Sequence, residues 1–220
     1  MAEQRQAAAR ESLRARKKRE TRQRISDVAT ALFAERGFDA VTVSEVARAA
    51  DVSAMTVFNH FPRKEDLFLD RIPEAVELVT GAVRDRSPGE TPLAALRRTL
   101  LRLADEGHPL GALHESGPRF ARVVLDSAAL RARAREGVEE VETALAGVLR
   151  EAAEEETGEP DPRLTAALAV AAYRTVFTGT VARLLAGAHV SDLADGHRAR
   201  LHAAFDALER AVSRPPSLNP

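Results

Sequence analysis

The sequence contains no cysteine and no tryptophan, and aromatic residues make up only 4% of it. Without cysteine the chain has no disulfide, no thiolate nucleophile and no cysteine-based zinc site, which favours a reducing compartment. The shortage of aromatic residues and the abundance of alanine, leucine and arginine favour helices over sheets. We therefore expect an all-α protein.

Long apolar runs are also missing. No segment reaches about 18 uninterrupted apolar residues, and the N-terminus is polar where a signal peptide needs an apolar run. The 220 residues are nevertheless 45% hydrophobic, which is enough to bury a real core. We expect a soluble, cytoplasmic protein that folds alone or as a small oligomer.

The net charge of -1 hides an uneven distribution along the chain. Residues 1–24 hold nine lysines or arginines against three glutamates. A basic leading segment suggests an anionic partner near the N-terminus, although a solubilising tail would have the same composition. Residues 1–18 have no sustained apolar stripe, so we predict a disordered basic arm there.

An amphipathic helix is predicted from Thr21 onward. Its apolar residues recur at helical spacing, and they are Ile25, Val28, Ala29, Leu32 and Phe33. Gly37 follows as a C-terminal stop. The first helix is therefore expected to end just before Gly37.

Two short helices are predicted next. Thr42 and Glu45 form a capping box that opens the second helix, and Ser53 can cap a third helix that ends at Asn59 or His60. Asp51, between them, lies at a position suited to a left-handed backbone. Two short helices joined by a tight turn after a longer helix describe a helix-turn-helix unit.

The rest of the chain is predicted to be helical. A fourth helix should start near Arg63 and be interrupted or kinked at Pro73. Later breaks are expected at residues 87–92, 107–109, 157–162 and 187–192. The predicted organisation is an arm (1–18), a helix-turn-helix domain (19–70), a helical body (71–213) and a flexible tail (214–220).

The stretch DVSAMTVFNHF, residues 51–61, has two unlike faces. Val52, Val57 and Phe61 suit a core, whereas the opposite face is neither charged nor apolar throughout. In a DNA-reading unit the third helix lies in the major groove and presents that face to bases and phosphates. Thr56 and Asn59 can then form hydrogen bonds, Ala54 and Met55 can meet a thymine methyl group, and His60 can donate to a phosphate.

The run from Thr21 to Phe68 closely resembles the N-terminal domain of the TetR family of bacterial transcriptional regulators. The family's pattern is present here as ALFAERGFDAVTVSEVARAADVSAMTVFNHFPRKEDLF. The resemblance implies an all-α homodimer with an N-terminal three-helix helix-turn-helix DNA-binding domain and a C-terminal helical ligand-binding and dimerisation domain. Such a protein binds a palindromic operator, usually as a repressor, and releases it when a small molecule enters the C-terminal domain.

The DNA-binding residues implied by this resemblance lie on and beside the two short helices. They are Thr42, Ser44, Ser53, Ala54, Met55, Thr56, Phe58, Asn59, His60 and Lys64. Two positions depart from the family pattern. Phe58 stands where tyrosine is usual, so a phenolic hydrogen bond to phosphate is lost, and Asp51 replaces the usual turn glycine. A polar helix face with no partner is the alternative reading, above all for His60.

The last two helices, predicted at residues 162–186 and 192–213, pair in the family with their copies as a four-helix bundle. The dimer-interface residues expected on that basis are Ala167, Ala171, Gly179, Leu201, Phe205, Leu208 and Val212. The small ones could equally serve packing within one chain. Six residues are predicted around an effector: His114, Arg119, Arg122, Tyr173, Phe177 and Thr178. For each of them an ordinary core or surface role is the alternative.

Two rival functions follow from the same sequence. The six histidines share no metal-ligand spacing such as HExxH, and no nucleophile elbow, P-loop or dinucleotide fingerprint occurs. We therefore expect no catalytic residue, no metal and no cofactor, and the protein is predicted not to be an enzyme. The other rival is a helical adaptor that keeps the helix-turn-helix fold for protein contacts.

Overall fold

The structure, a computed structural model, describes residues 2–153 and 161–212, with side chains from Ala15 onward. Within these ranges it contains nine α-helices and two 3-10 turns, and no strand, so the all-α prediction is confirmed. The helices are α1 (Ala2–Arg36), α2 (Val43–Ala49), α3 (Ala54–His60), α4 (Ile72–Arg84), α5 (Pro92–Asp105), α6 (Gly117–Asp126), α7 (Ala128–Ala153), α8 (Pro162–Leu185) and α9 (Val190–Val212).

The chain divides into two compact units. The first contains the residues up to Asp70 together with Val123–Leu130, and the second contains Arg71–Arg122 and the residues from Arg131 onward. The predicted boundary at residue 70 did not include the later segment. Met1, residues 154–160, residue 213 and the predicted tail at 214–220 lie outside the described residues.

Local signals in the first unit formed the predicted caps. The Thr42 hydroxyl accepts from the Glu45 amide while the Glu45 carboxylate accepts from the Thr42 amide, so the capping box is complete. The Ser53 hydroxyl accepts from the Thr56 amide and caps α3. Asp51 has φ of 53°, in the left-handed region, which lets the chain turn sharply between α2 and α3.

The core of the first unit is one apolar cluster that contains residues of α1, α2 and α3. Ile25, Phe33, Val57 and Phe61 are at most 1% exposed and belong to one apolar cluster. Helices as short as α2 and α3 are marginal alone, so this packing stabilises them. Burying each large side chain contributes about 1.5–3 kcal/mol.

The beginning of α1 differs from its prediction. The helix starts at Ala2 rather than near Thr21, and so includes the segment expected to be a disordered arm. The physical reason is intrinsic helix propensity. Residues 2–20 are rich in alanine, arginine, glutamine and glutamate, which favour helix, and contain neither glycine nor proline, which disfavour it. A helix of this kind needs no apolar stripe to continue.

The fourth helix also differs. A 3-10 turn covers Glu65–Leu67, and α4 begins only at Ile72, so Pro73 lies in its first turn instead of interrupting it. Proline suits that position because the first-turn amides have no intrahelical acceptor. The prediction that Pro73 breaks a helix from Arg63 was wrong.

The second unit is a bundle built on α5, α8 and α9. α8 packs on α9, and α5 packs on α4 and α9. Asp161 and Thr91 cap α8 and α5, each directly before a proline. Two breaks were not predicted, the loop before α6 and Ser127 between α6 and α7.

One turn in the second unit approaches α5 closely. A second 3-10 turn covers Pro109–Gly111, and Ala112 after it has φ of 68°. A Cβ atom on Gly111 would lie 2.4 Å from the carbonyl oxygen of Leu103 in α5. Glycine is therefore required at this contact.

Of the described helices, α8 has the length and apolar composition that would suffice to cross a membrane, with 28% of its most apolar window buried. Core helices of soluble proteins share that length and composition. The feature alone therefore assigns no membrane span.

Candidate nucleic-acid interface

The outward face of α3 contains large apolar side chains. Met55 is 68% exposed and Phe58 is 47% exposed, and Asn59 beside them is exposed too. These residues lie three and four positions apart, so they share one side of the helix. α3 thus places two apolar side chains and one side-chain amide on the surface of the first unit.

Three neighbouring residues predicted to touch DNA have other contacts. Ala54 packs partly against the core of the first unit, so its methyl group does not point fully outward. The Thr56 and Ser53 hydroxyls lie 2.8 Å apart and hydrogen-bond to each other while Ser53 caps the helix. These residues therefore shape the start of α3, and the outward surface depends on Met55, Phe58 and Asn59.

Arg22 of α1 holds the other end of α3. Its guanidinium lies 4.1 Å from the centre of the Phe61 ring, and its Nη1 donates to the carbonyl oxygen of His60. A cation there complements the partial negative charge of a helix C-terminus. Arg22 was not predicted as a functional residue, because the sequence does not indicate which helix end a lysine or arginine of α1 will reach.

The surroundings of His60 disfavour its charged form. Partial burial lowers its pKa, and the charges of Lys18 and Arg22 lower it further. Its Nδ1 is buried without a hydrogen-bond partner among the described residues. A nearby phosphate would favour the charged form and oppose this shift.

Lys64 contacts residues of its own unit. Its ammonium donates to the carbonyl oxygen of Phe38 at 2.6 Å and lies 4.2 Å from the centre of the Phe38 ring. Burial lowers the pKa of this lysine. In the free protein the side chain of Lys64, which is predicted to contact DNA, therefore folds back onto its own unit.

The start of α2 contributes an exposed polar edge. Thr42 and Ser44 are both exposed. Glu45, which completes the cap, also pairs with Arg36 at 2.8 Å. The Thr42 amide, the Thr42 hydroxyl and Arg36 lower the pKa of Glu45 to about 2, so the cap stays ionised at neutral pH.

The segment Val123–Leu130 completes the first unit, although it lies more than fifty residues further along the chain. Leu130 is fully buried in the cluster that contains Phe33 and Phe61. The Ser127 hydroxyl is buried and donates to the carboxylate of Asp39 at 3.0 Å. Sequence reasoning missed this segment because nothing local marks a long-range contact.

The predicted effector residues all lie in the second unit, but in separate surroundings. Tyr173 donates its hydroxyl to the Leu110 carbonyl, its ring centre lies 5.8 Å from that of Phe177, and burial raises its pKa. The His114 ring accepts from the Ser116 amide in the loop before α6. Arg119, Arg122 and Thr178 are exposed.

A groove of about 750 Å³ lies elsewhere in the second unit. Residues of α5 and α9, with Glu106, line it: Ala94, Arg97, Arg98, Leu101, Arg102, Asp105, Glu106 and Glu209. Arg97 pairs there with Asp206 and Glu209, each at 2.7 Å. None of the six predicted effector residues contributes to this groove.

The predicted dimer residues divide into two groups. Leu201, Phe205 and Leu208 are at most 5% exposed and form part of the core of their own chain, and Val212 packs against that core. This corrects the prediction for Leu201, Phe205 and Leu208, because a second copy cannot reach buried side chains, whereas Val212 is half-buried. The α9 stripe was assigned to the wrong surface: helical spacing identifies a buried face but does not identify the neighbour that covers it.

The other group lies on α8. Ala167 and Ala171 are half-buried, and Gly179 is exposed, with no atom within 4 Å of a Cβ built on it. These three positions remain accessible to a second copy.

Among the residues with described side chains, no cluster of three or more histidines, aspartates or glutamates could hold a metal ion.

Comparisons with known proteins agree with this architecture. Residues 25–70 match the family described as bacterial regulatory proteins of the tetR family. The HTH-type transcriptional regulator TcmR of Streptomyces glaucescens is 32% identical over 210 residues, which cover 92% of this chain and 75% of TcmR. AcrR of Shigella flexneri, also an HTH-type transcriptional regulator, is 37% identical over 90 residues, covering 39% of this chain and 41% of AcrR.

A solved structure shows the same fold. SmeT, the repressor of a multidrug efflux pump of Stenotrophomonas maltophilia, superposes in its complex with triclosan with a TM-score of 0.58. The alignment is 19% identical and covers 91% of this chain and 98% of SmeT. The helix-turn-helix geometry, the match to the family pattern and the similarity to TcmR along most of the chain together identify the protein as a member of the TetR family of transcriptional regulators.

Proposed function

We propose that the protein is a ligand-responsive repressor that binds a palindromic DNA operator as a homodimer in the cytoplasm and leaves it when a small-molecule effector binds. The observation that carries this proposal is the outward face of α3, where Met55, Phe58 and Asn59 are exposed while Val57 and Phe61 hold the helix in the core. A helix placed in this way can enter the major groove without unfolding its own unit.

The geometry of the first unit supports the following proposed contacts with DNA. Asn59 offers an amide that can pair with the edge of an adenine. Thr42 and Ser44, exposed at the start of α2, can donate to backbone phosphates, as can His60 once it is protonated. Phosphate contacts fix the register of α3, and base contacts select the sequence.

The homodimer would form through the accessible face of α8. Ala167, Ala171 and Gly179 on this face are small enough to allow close approach of a second helix. A two-fold dimer then places the two copies of α3 about 34–36 Å apart, one turn of B-DNA, or a multiple of that spacing.

The effector would bind in the second unit, near Tyr173 and Phe177. SmeT, which shares the fold, has been solved with triclosan. Tyr173 and Phe177 are neighbouring aromatic residues on α8, and such side chains commonly line ligand pockets. A ligand that displaces α5 would act on α4, which packs on α5 and follows the first unit directly in the chain.

The proposal is tested with the purified 220-residue chain. Genomic DNA fragments retained by the protein are sequenced, the bound site is footprinted, and the mass of the protein and of its complex is measured in solution. The expected result is a palindromic site protected by a dimer. Retention of a partner protein, with no protected DNA sequence, would instead favour the helical adaptor.

The basic N-terminal segment gives a separate prediction. Residues 1–18 hold six of the chain's lysines and arginines, and their deletion leaves Arg22 in place. The deletion should weaken operator binding and reduce its dependence on salt, because fewer phosphates are then neutralised. The measurement is the slope of log affinity against log salt concentration. An unchanged slope would show that the segment only solubilises the protein.

A further inference from the structure

The apolar character of the outward face of α3 needs an explanation of its own. Met55 and Phe58 are the two largest exposed apolar side chains of the helix, at 68% and 47% exposure. Exposed apolar residues scattered singly are ordinary on proteins, but these two lie one turn apart on the same side of one short helix. They form a small apolar patch, which we call the Met55–Phe58 patch.

Packing within the chain does not account for this patch. α3 is held in the core by Val57 and Phe61, which are 1% exposed, and Ala54 adds a partial contact. Neither Met55 nor Phe58 belongs to the apolar cluster of the first unit or to the side chains packed against it. Their side chains are available for something outside the chain.

Phosphate recognition does not account for it either. A phenyl ring has no hydrogen-bond donor, and a thioether is at most a weak acceptor, so neither side chain can bind a phosphate oxygen. The phosphate contacts proposed above come from Thr42, Ser44 and His60 instead. The Met55–Phe58 patch must therefore contact an apolar group if it contacts DNA.

The major groove presents one apolar group, the methyl on C5 of a pyrimidine, which thymine has and unmodified cytosine lacks. We propose that the Met55–Phe58 patch is a reader of C5-methyl groups, so that each operator half-site presents the methyl of thymine or of 5-methylcytosine to these two side chains. This inference rests on the proposed function. It adds a base-specific contact that needs no hydrogen bond.

The proposal is tested on the operator recovered from the retained fragments, with the wild-type 220-residue chain. Thymines are replaced one at a time by deoxyuridine, which removes the methyl and keeps every hydrogen-bonding group. Loss of a contacted methyl should weaken binding about four-fold, the effect expected for one buried carbon. The measurement is the ratio of the dissociation constants of the paired probes.

A second arm distinguishes the two sources of the methyl group. Cytosines of the same operator are replaced one at a time by 5-methylcytosine. If thymine supplies the contact, deoxyuridine weakens binding at one or two thymine positions in each half-site, and methylation of the operator's cytosines has no effect. If 5-methylcytosine supplies it, methylation strengthens binding by a similar factor while deoxyuridine has no effect.

Variants then connect the effect to the Met55–Phe58 patch. In Met55→Ala and Phe58→Ala, the preference for methylated over unmethylated probes should fall toward one at the positions that each side chain contacts. Leu125→Ala is the matched control, since Leu125 is 53% exposed on α6 and has no proposed part in DNA binding or dimer formation, and it should keep the full preference. Thermal unfolding of all three variants checks that their stability is unchanged.

Each outcome has a clear meaning. Equal binding of every modified and unmodified probe to the wild-type chain would overturn the proposal while leaving the proposed function intact. A methyl preference that survives in both α3 variants would also overturn it, because another residue would then be responsible. Failure to select any DNA sequence would overturn the proposed function, and this inference with it.

Discussion

α3 and α9 both contain apolar residues at helical spacing, yet they use them in opposite ways. In α9, Leu201 and Phe205 are at most 1% exposed and lie within the core of the second unit. In α3, Met55 and Phe58 stand outside the core of the first unit. The comparison teaches that a helical apolar pattern predicts a helix with a contact surface, but not which molecule supplies the contact.

The largest expected effect contrasts one phenylalanine from each helix. Phe205→Ala should lower the free energy of unfolding by about 3–5 kcal/mol, because it opens a cavity in the core. Phe58→Ala should change it by less than about 0.5 kcal/mol, because an exposed side chain leaves no cavity. Urea denaturation of both variants measures the difference, and comparable losses of stability would break the comparison.

A smaller effect is expected from the polar neighbour of the exposed apolar residues. Asn59→Ala should weaken operator binding by about 1–3 kcal/mol, the value of a good side-chain contact with a base. His202→Ala, an exposed polar residue on α9, is the control and should bind DNA like the wild type. Equal affinities of all three proteins in a titration would mean that α3 does not read bases through Asn59.

Two serines sharpen the comparison within the first unit. Ser127→Ala should lower the free energy of unfolding by about 1 kcal/mol. The buried Ser127 hydroxyl donates to the Asp39 carboxylate and accepts from the Leu130 amide in the first turn of α7, and both hydrogen bonds would be lost. Ser44→Ala should leave stability unchanged but weaken DNA binding, since Ser44 is exposed. Melting temperatures and operator affinities of both variants provide the measurement; a reversed pattern would contradict the assigned roles.

The smallest effect concerns the cap of α2. The folded chain lowers the pKa of Glu45 from its ordinary value of 4.5 to about 2. The ionised carboxylate therefore contributes its full stabilisation at pH values above 4.5. This stabilisation is lost as pH falls toward 2. Glu45→Gln should therefore melt slightly below the wild type at neutral pH and equal it in acid. A constant difference across this pH range would rule out ionisation as the cause.

The parts of the fold that depend on neighbouring residues could be predicted. Thr42, Ser53 and Asp51 act within three or four positions of themselves, so the caps and the left-handed turn were correct. Gly37, with φ of 82°, ends α1 where it was expected. Local hydrogen-bonding and steric rules are sufficient for such features.

The features that could not be predicted depend on contacts with residues far away in the sequence. Leu130 joins the core of the first unit, and Lys64 bonds to a carbonyl twenty-six residues earlier. Helical spacing placed Phe205 on an apolar face correctly but could not show that the chain itself covers it. For the candidate site, exposure on α3 distinguishes Met55 from Ala54, a difference that their shared apolar character conceals in the sequence.

The close approach of Gly111 to α5 also limits how the protein can be re-engineered. Any side chain at this position would strike the main chain at Leu103, which cannot move without unwinding the end of α5. Gly89, in contrast, has open space around it in the turn before α5. An affinity tag or fluorophore inserted beside Gly89 would therefore be tolerated if the glycine itself is kept, since its φ of 81° is left-handed, and the corner at Gly111 must be left as it is.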